Sequence, residues 1–348
     1  MRILGIETSC DETSAAVVEE TGDSAAPWQV RSNVIASQAP IHREWGGVVP
    51  ELASRQHVRD ICGVVDLALQ QGRTLWRDLG AVAVTQGPGL VGSLLVGVSF
   101  AKAAAAAAGL PLVAVHHLAG HIESLVLQNG ELPLPAVVLV VSGGHTSLYL
   151  LERPGDYRLL SRTRDDAAGE AYDKVAKLLG LGYPGGPIVD RLAAAGNDRA
   201  LRLPATRLTH RDRNAPDLKG DLDFSFSGLK TAILRHVRAR EAALSEREIV
   251  DICATFQRVV VEALINRLFD AARRFGAKSV GVAGGVSANS RLRADLQDHG
   301  RRREIPTFLP SLTLSTDNAA MIAAAGLRKL RAGLTAGADL NADPALTL

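Results

Sequence analysis

Three of the nine histidines crowd into Val115-His116-His117-Leu118-Ala119-Gly120-His121. If a helix begins here, His117 and His121 stand at i and i+4 on one face and can ligate one metal ion; the competing role is a pair that caps and packs. Chance alone gives roughly 0.2 such pairs in a chain of this size, so the motif is suggestive by itself. A zinc peptidase needs HExxH, where the glutamate after the first histidine activates metal-bound water. Here Leu118 follows His117 and nothing acidic lies between the two histidines, so that general base is missing. A two-histidine site wants a third protein ligand, commonly a carboxylate. Asp317, in LSTDNAAMIAAAG, is the candidate, opening a helix expected from about Thr316; its other reading is a charge that complements the helix dipole.

Two glycine turns can approach a phosphate or a nucleoside, because glycine lacks the Cβ that blocks a ligand. They are Ser142-Gly143-Gly144-His145-Thr146 and Gly284-Gly285-Val286-Ser287-Ala288-Asn289. Neither matches GxxxxGK[ST] or GxGxxG, so an ordinary P-loop or dinucleotide fingerprint is not indicated. In DDAAGEAYDKVAKLLGLGYPGGP a helix is expected over 169–179. Its Asp173 suits the two hydroxyls of a ribose, or forms a solvated pair with Lys177. Gly182, Gly185 and Gly186 around Pro184 and Pro187 make a rigid turn, and Asp190 follows on the next helix as a nucleoside ligand or a cap. Cys10 beside Asp11 has no adjacent histidine, which argues against a thiolate nucleophile.

These residues need elements to carry them. RILGIE (2–7) and SAAVVE (14–19) flank the polar turn TSCDET and read as a hairpin; AVVLVV (136–141) and SLYLLE (147–152) flank SGGHT in the same way. Two such hairpins suggest an internal duplication into two lobes. Short strands at 81–85 and 111–115 alternate with helical runs, which points to an α/β architecture. The clearest helix spans 246–275: Ile249, Ile252, Phe256, Val259, Ala263, Leu264, Leu268 and Ala271 recur at helical spacing, Ser245 with Glu248 forms a capping box, and Gly276 stops it. A strand over 279–283, the second glycine turn and a helix over about 287–298 follow. The basic, proline-broken stretch 199–219 reads as a long loop.

The chain has 348 residues, enough for about two domains. Hydrophobic residues make up 47% and charged ones 22%, the balance of a soluble globular protein. A net charge of +2 argues against coating nucleic acid by bulk electrostatics while leaving room for a local patch. The three cysteines are far apart and frame no disulfide or zinc ribbon, consistent with a reducing, cytoplasmic setting. No signal-peptide apolar region follows Met1, and the apolar stretch 89–115 reads as a buried helix and a strand rather than a membrane span.

Taken in order, GIETSCDETS, VHHLAGH, LVVSGGHTSL, DDAAGEAYDKVAKLLGLGYPGGP, DFSFSGLKTA, GVAGGVSAN and STDNAAMIA resemble the tRNA N6-adenosine threonylcarbamoyltransferase family, the TsaD-type proteins formerly described as O-sialoglycoprotein endopeptidases. The resemblance runs from Gly5 to Ala323. It implies the two-lobed actin-like and sugar-kinase-like ATPase (ASKHA) fold, with an N-terminal lobe over 1–128, a C-terminal lobe over 129–315, and a helix over about 316–335 returning to the first. It implies transfer of a threonylcarbamoyl group from threonylcarbamoyl-adenylate to the N6 amine of adenosine 37, in tRNAs that read codons beginning with A, giving t6A and AMP. By motif it implies His117, His121 and Asp317 as ligands of one divalent metal per subunit, Fe2+ or alternatively Zn2+. It implies that Val140, Val141, Ser142, Gly143 and Gly144 hold the adenylate, with Asp173, Gly186, Asp190 and Asn289 around its nucleoside. Asp11 and Glu12 match acidic residues facing the site and are the catalytic candidates. The implied partners are tRNA, a homologous TsaB-type protein, a small TsaE-type ATPase and a TsaC-type synthase that supplies the adenylate, with no membrane. Sugar kinases of this fold open with Asp-x-Gly-Thr where this chain has Glu7-Thr8-Ser9, which makes a kinase, like a glycoprotease-type metallopeptidase or a nucleotide-gated scaffold, an alternative reading.

Overall fold

A strand that is apolar on both faces must lie inside a covered sheet, and β1 (Arg2–Glu7) is buried from Ile3 to Glu7. It pairs antiparallel with β2 (Glu12–Glu20), which pairs antiparallel with β3 (Trp28–Ser37). The short α1 (Ala39–His42) and the long α2 (Pro50–Gln71) lead to β4 (Leu79–Gly87), parallel to β1. Then α3 (Val91–Ala108), β5 (Leu112–His116), parallel to β4, and α4 (His117–Asn129) complete this stretch. The sheet order is β3-β2-β1-β4-β5.

A second sheet begins with the hairpin β6 (Ala136–Val141) and β7 (Thr146–Leu151), followed by β8 (Arg158–Arg162). After it come α5 (Ala168–Leu178), α6 (Gly185–Ala193), α7 (Ser227–Arg238) and α8 (Glu246–Arg274). Then β9 (Ser279–Ala283), parallel to β6, α9 (Ser290–Arg303) and β10 (Thr307–Phe308) close the unit. The order is β10-β9-β6-β7-β8, with the same sequence of antiparallel and parallel pairs as in the first sheet. This is the duplication the two hairpins predict. The chain ends with α10 (Leu312–Ser315) and α11 (Ala319–Arg331).

This computed structural model describes residues 1–23, 25–204, 220–240 and 242–348. They divide into two units: Met1–Leu132 with Arg153–Tyr157 and Pro310–Leu348, and Pro133–Glu152 with Arg158–Leu309. In the first, α2 and α3 cover one face of the sheet, where Ile61, Val65, Ala68, Val98 and Ala101 meet Leu4, Ile6, Ala15 and Val17. The other face carries α11, which comes so near that a β-carbon on Gly5 would collide with the Ala319 carbonyl oxygen and lie 2.8 Å from Ala323 N. Gly326 lets the same helix approach Ala83, and Gly120 lets α4 approach Ile322 and Met321. In the second unit α8 packs through Phe256, whose ring meets Tyr172 edge-on at 5.0 Å, and the expected Ser245–Glu248 capping box is present.

Three boundaries differ from expectation. β2 starts at Glu12, so the first turn shrinks to residues 8–11 and Glu12 joins the strand. A single turn of 3-10 helix over Gly285–Ala288 precedes α9, which starts at Ser290 because Asn289 caps it. α11 starts at Ala319 behind the cap Asn318, whose Oδ1 accepts from Met321 N at 3.1 Å, so Asp317 precedes the helix instead of opening it. The loop reading for 199–219 falls largely on 205–219, outside the described residues. Among the described helices α3 is the one long and apolar enough to cross a membrane; Ser93, Leu94, Gly97, Val98, Ala101 and Ala105 form its buried face.

The close approach at Gly5 is testable. Gly5→Ala should cost about 1–3 kcal/mol through overpacking against backbone that cannot retreat. Gly63→Ala, on α2 where a β-carbon meets nothing within 4 Å, should leave stability unchanged or raise it slightly. Thermal unfolding of the two variants beside the parent chain reads the difference.

Candidate functional site

β5 runs straight into α4, so the helix starts at the end of a buried strand. His116 caps it, its Nδ1 accepting from Leu118 N at 3.1 Å. That places His117 and His121 one turn apart on an inward face, with ring centroids 4.7 Å apart. Asp317 reaches them from the turn before α11: its Oδ1 lies 3.1 Å from His121 Nε2 and 3.6 Å from His117 Nε2. One donor atom from each residue falls within a 4.8 Å cluster. The structure thus brings together the three residues expected from the sequence, in a cluster that could hold a metal ion.

Their surroundings fit a cation. His117 Nδ1 donates to Glu7 Oε2 at 3.1 Å, with Ser9 Oγ 3.2 Å from the same nitrogen, which leaves Nε2 turned toward Asp317. A carboxylate behind a histidine in this way fixes the tautomer and strengthens the imidazole as a ligand. Glu7 is fully buried and also accepts from Ser9 N and from Thr85 Oγ1 at 2.7 Å. Burial works against its charge, but the His117 imidazole outweighs that and holds the Glu7 carboxyl below its ordinary value. His117 in turn loses by burial, yet the Asp317 and Glu7 carboxylates on its two sides raise it to about 9, the mark of a place that demands positive charge. His121 is held neutral by burial. Both its ring nitrogens are buried without a hydrogen bond among the described residues; Nε2 meets Asp317 in a geometry that makes none. A buried, neutral, unsatisfied imidazole nitrogen beside a carboxylate is costly in a protein and suited to a metal ion. The residues thus fit a single metal ion.

Asp11 and Glu12 stand where β1 turns into β2. Glu12 is pushed well up by burial and by the Asp317 and Asp11 carboxylates nearby, and its Oε1 accepts from Ser37 Oγ at 3.3 Å. Burial and the same three carboxylates raise the Cys10 thiol well above its ordinary range, which removes it as a nucleophile.

In the second unit the turn after β6 is open. Ser142 N donates to His145 O at 2.8 Å and Ser142 O accepts from Gly169 N at 3.1 Å, which docks the start of α5 on the turn. Gly169 has to be glycine, since a β-carbon would press on Ser142 O at 2.6 Å. Gly143 and Gly144 have no such reason: a β-carbon on either meets nothing within 4 Å, and neither has a positive φ. No hydrogen bond among the described residues uses their N–H groups. Val140 and Val141 are fully buried in β6, so their side chains face the core and only backbone is left to meet a ligand.

The other expected residues pair within the chain. Asp173 Oδ1 accepts from Gly185 N at 2.7 Å and anchors the start of α6; a β-carbon on Gly185 would hit Ala176 Cβ at 2.6 Å, whereas one on Gly186 meets nothing. Asp190 accepts from Ser290 Oγ at 2.8 Å, Ser290 N at 3.0 Å and Gln257 Nε2 at 3.0 Å. Asn289 caps α9 through Oδ1 and donates from Nδ2 to Gln257 Oε1 at 2.9 Å. Gln257, not foreseen from sequence, joins Asp190 to Asn289. Its one signal was a glutamine on an otherwise apolar face of α8. Glu7 was likewise missed as a support for His117; its signal was a carboxylate ending an apolar strand.

Two α/β units of one strand order are the hallmark of the actin-like and sugar-kinase-like ATPase fold, and solved structures agree. The structure matches component A of (R)-2-hydroxyglutaryl-CoA dehydratase from Acidaminococcus fermentans with a TM-score of 0.53 at 13% identity, over 95% of this chain and 99% of that one. It matches HypF of T. kodakarensis with a TM-score of 0.60 at 14% identity, over 95% of this chain and 48% of that one. The sequence profile of the TsaD family, tRNA N6-adenosine threonylcarbamoyltransferase, matches residues 29–324. A relative of that name from Anaeromyxobacter sp. (strain Fw109-5) is 53% identical over 350 residues, covering 100% of both chains. Another from Moorella thermoacetica is 49% identical over 346 residues, 99% of this chain and 97% of the relative. The chain belongs to the tRNA N6-adenosine threonylcarbamoyltransferase family, and so to the transferases that modify tRNA.

Two outcomes follow. Glu7→Gln, which keeps shape and loses the charge behind His117, should weaken metal binding about 10–100-fold in competition with a chelator. Gly186→Ala should leave the melting temperature unchanged, since α6 has room for the methyl group, while weakening adenylate binding at least tenfold (about 1.4 kcal/mol) by calorimetric titration.

Proposed function

We propose that this chain transfers the threonylcarbamoyl group of threonylcarbamoyl-adenylate to N6 of adenosine 37 in tRNAs reading codons that begin with A, forming t6A and releasing AMP. The observation that carries the reading is the His117–His121–Asp317 cluster, backed by Glu7, in a chain of this family. One divalent ion, for which we propose Fe2+ with Zn2+ as the alternative, would be held by these three residues and supply a Lewis acid for the threonylcarbamoyl group. The chain's own residues orient and neutralise. The N–H groups of Gly143 and Gly144 receive phosphate oxygens, and Asp173, Gly186, Asp190 and Asn289 border the nucleoside. The mixed anhydride is already activated, so alignment of N6 with the carbamoyl carbon does most of the work. As the C–N bond forms and the bond to AMP breaks, the N6 proton passes to Asp11 or Glu12.

A peptidase is disfavoured because the chain lacks the glutamate of HExxH after His117, and Glu7, the carboxylate behind that histidine, is buried with both oxygens occupied and cannot take its place. tRNA is the substrate, in the cytoplasm, with the adenylate made by a TsaC-type synthase and turnover supported by a TsaE-type ATPase. We assign the homologous TsaB-type partner to the exposed apolar faces of α2 and α3, where Val58, Leu67, Val91 and Leu95 are 62%, 41%, 54% and 42% exposed.

The test supplies partners, tRNA and preformed threonylcarbamoyl-adenylate and measures t6A in digested tRNA. The parent chain forms product, and His117→Ala loses at least 100-fold together with its metal. Full yield from metal-free His117→Ala would overturn the metal role. No product from the parent chain would leave a nucleotide-gated scaffold.

A further inference from the structure

The first unit holds a buried polar chain that the proposed chemistry does not use. Its outer end is the segment 43–49, a 3-10 turn (Arg43–Trp45) followed by Gly46, which has a φ of 65°. Val49 N donates to His42 Nδ1 at 3.3 Å, so His42 carries its proton on Nε2, which donates to Gln38 Oε1 at 3.2 Å. Gln38 Nε2 donates to Ala53 O at 3.3 Å and to His57 Nδ1 at 3.4 Å, and Thr13 Oγ1 donates to the same Nδ1 at 2.8 Å. His57 Nε2 is left to donate to Cys10 O at 2.9 Å, while Gln38 N donates to Asp11 O at 2.9 Å. Gln38, His42 and His57 are 1%, 0% and 0% exposed. Each hydrogen bond dictates the next, and burial keeps His57 neutral by lowering its proton affinity. The segment is thereby tied from beneath to the backbone of Cys10 and Asp11.

What this tether holds outward is Trp45, at 63% the most exposed large apolar side chain described. A single exposed apolar side chain is ordinary, but a tryptophan on an ordered turn offers a large flat face and a polar N–H, the combination suited to a ligand. Trp28, by contrast, is 5% exposed. Arg43 and Glu44 flank Trp45, both exposed and without an ion pair among the described residues. A β-carbon on Gly47 would meet nothing within 4 Å, so the ring has clear space around it. Ile41, 40% exposed, is an exposed large apolar group on the preceding helix α1. An isolated aromatic plane, a cation and a hydrogen-bonding carboxylate are the means by which proteins take up an unstacked base and its phosphate from a single-stranded RNA loop. The rise of α1 and the 3-10 turn puts Trp45 within about 12 Å, along the chain, of the Gln38–Asp11 contact.

We infer that Trp45 is a stacking platform for a base of the tRNA anticodon loop, held in register with the Asp11–Glu12 turn by the His42–Gln38–His57 relay. The inference rests on the proposed function for the identity of the RNA. Its deciding measurements, quenching and filter retention, read binding and not chemistry, so they succeed or fail apart from that reading. The full-length, metal-loaded chain is titrated with an anticodon stem-loop RNA, following tryptophan emission and, separately, retention on a filter. With the half-buried Trp76 replaced by Phe in every chain used for fluorescence, stacking predicts quenching in the chain that keeps Trp45 and no quenching in Trp45→Phe, which keeps an aromatic plane and binds within about threefold. Trp45→Ala should bind about tenfold more weakly. His42→Gln should reduce t6A formation without reducing quenching, because it releases the tether and spares the plane. Unaltered RNA affinity in Trp45→Ala, quenching that persists in Trp45→Phe, or a blue shift of Trp45 on adding the homologous protein partner in place of RNA would each overturn the inference. Quenching by a chain that makes no t6A would defeat the proposed function and leave this inference standing.

Discussion

A carboxylate with no access to water has to find every one of its partners inside the protein, and Glu7 is where this molecule meets that demand. Its two oxygens collect the Ser9 amide, the Thr85 hydroxyl and the His117 imidazole. Those three groups come from the first turn, from β4 and from the start of α4. Satisfying one buried charge therefore aligns the end of the turn at Asp11 and the start of β2 at Glu12 with the helix that carries His117 and His121. Removing any partner would leave part of that charge unpaired in a medium that penalises it heavily. The opposing charge of His117 makes the arrangement stable, and the imidazole face that remains is the one turned to Asp317.

The two sheets share a strand order, yet their first turns have diverged to opposite ends. Residues 8–11 are hemmed in: Leu90 N holds Ser9 O, His57 holds Cys10 O, Gln38 holds Asp11 O, and Gly89 is a glycine because Ser9 leaves no room. Residues 142–145 carry two glycines that no contact among the described residues requires. A duplicated hairpin thus supplies rigid acids in one unit and bare amides in the other.

Much of this was legible in the residues because local rules govern it. Short continuous apolar runs mark β1, β6 and β9, a capping box and a 3.6-residue stripe mark α8, and the i,i+4 histidines lie on one face as helix geometry requires. What escaped was cooperative. Glu7 and Gln257 look unremarkable in a line of residues, because their roles exist only once strands 78 positions apart, or helices 67 apart, bring partners to them. The edge strand β3 and helix α2 were not anticipated either: β3 alternates exposed and buried residues without a clean period. Starts of α9 and α11 shifted by a residue or more because asparagine caps, Asn289 and Asn318, outcompeted the serine and threonine before them. The motif likeness reached further than these local rules, since it carried Asp317 to the histidines across nearly 200 positions of chain.

Asp317 owes its place less to its own bonds than to the helix behind it. α11 is pressed onto β1, β4 and α4 through Gly5, Gly326 and Gly120, contacts of backbone and methyl groups that do not depend on what the aspartate binds. Binding and release of the proposed ion should then need no refolding of the residues around it. A cluster held so firmly would have little freedom to swell or shrink around cations of different radius, so for the proposed ion the choice among first-row metals would fall to their supply in the cell.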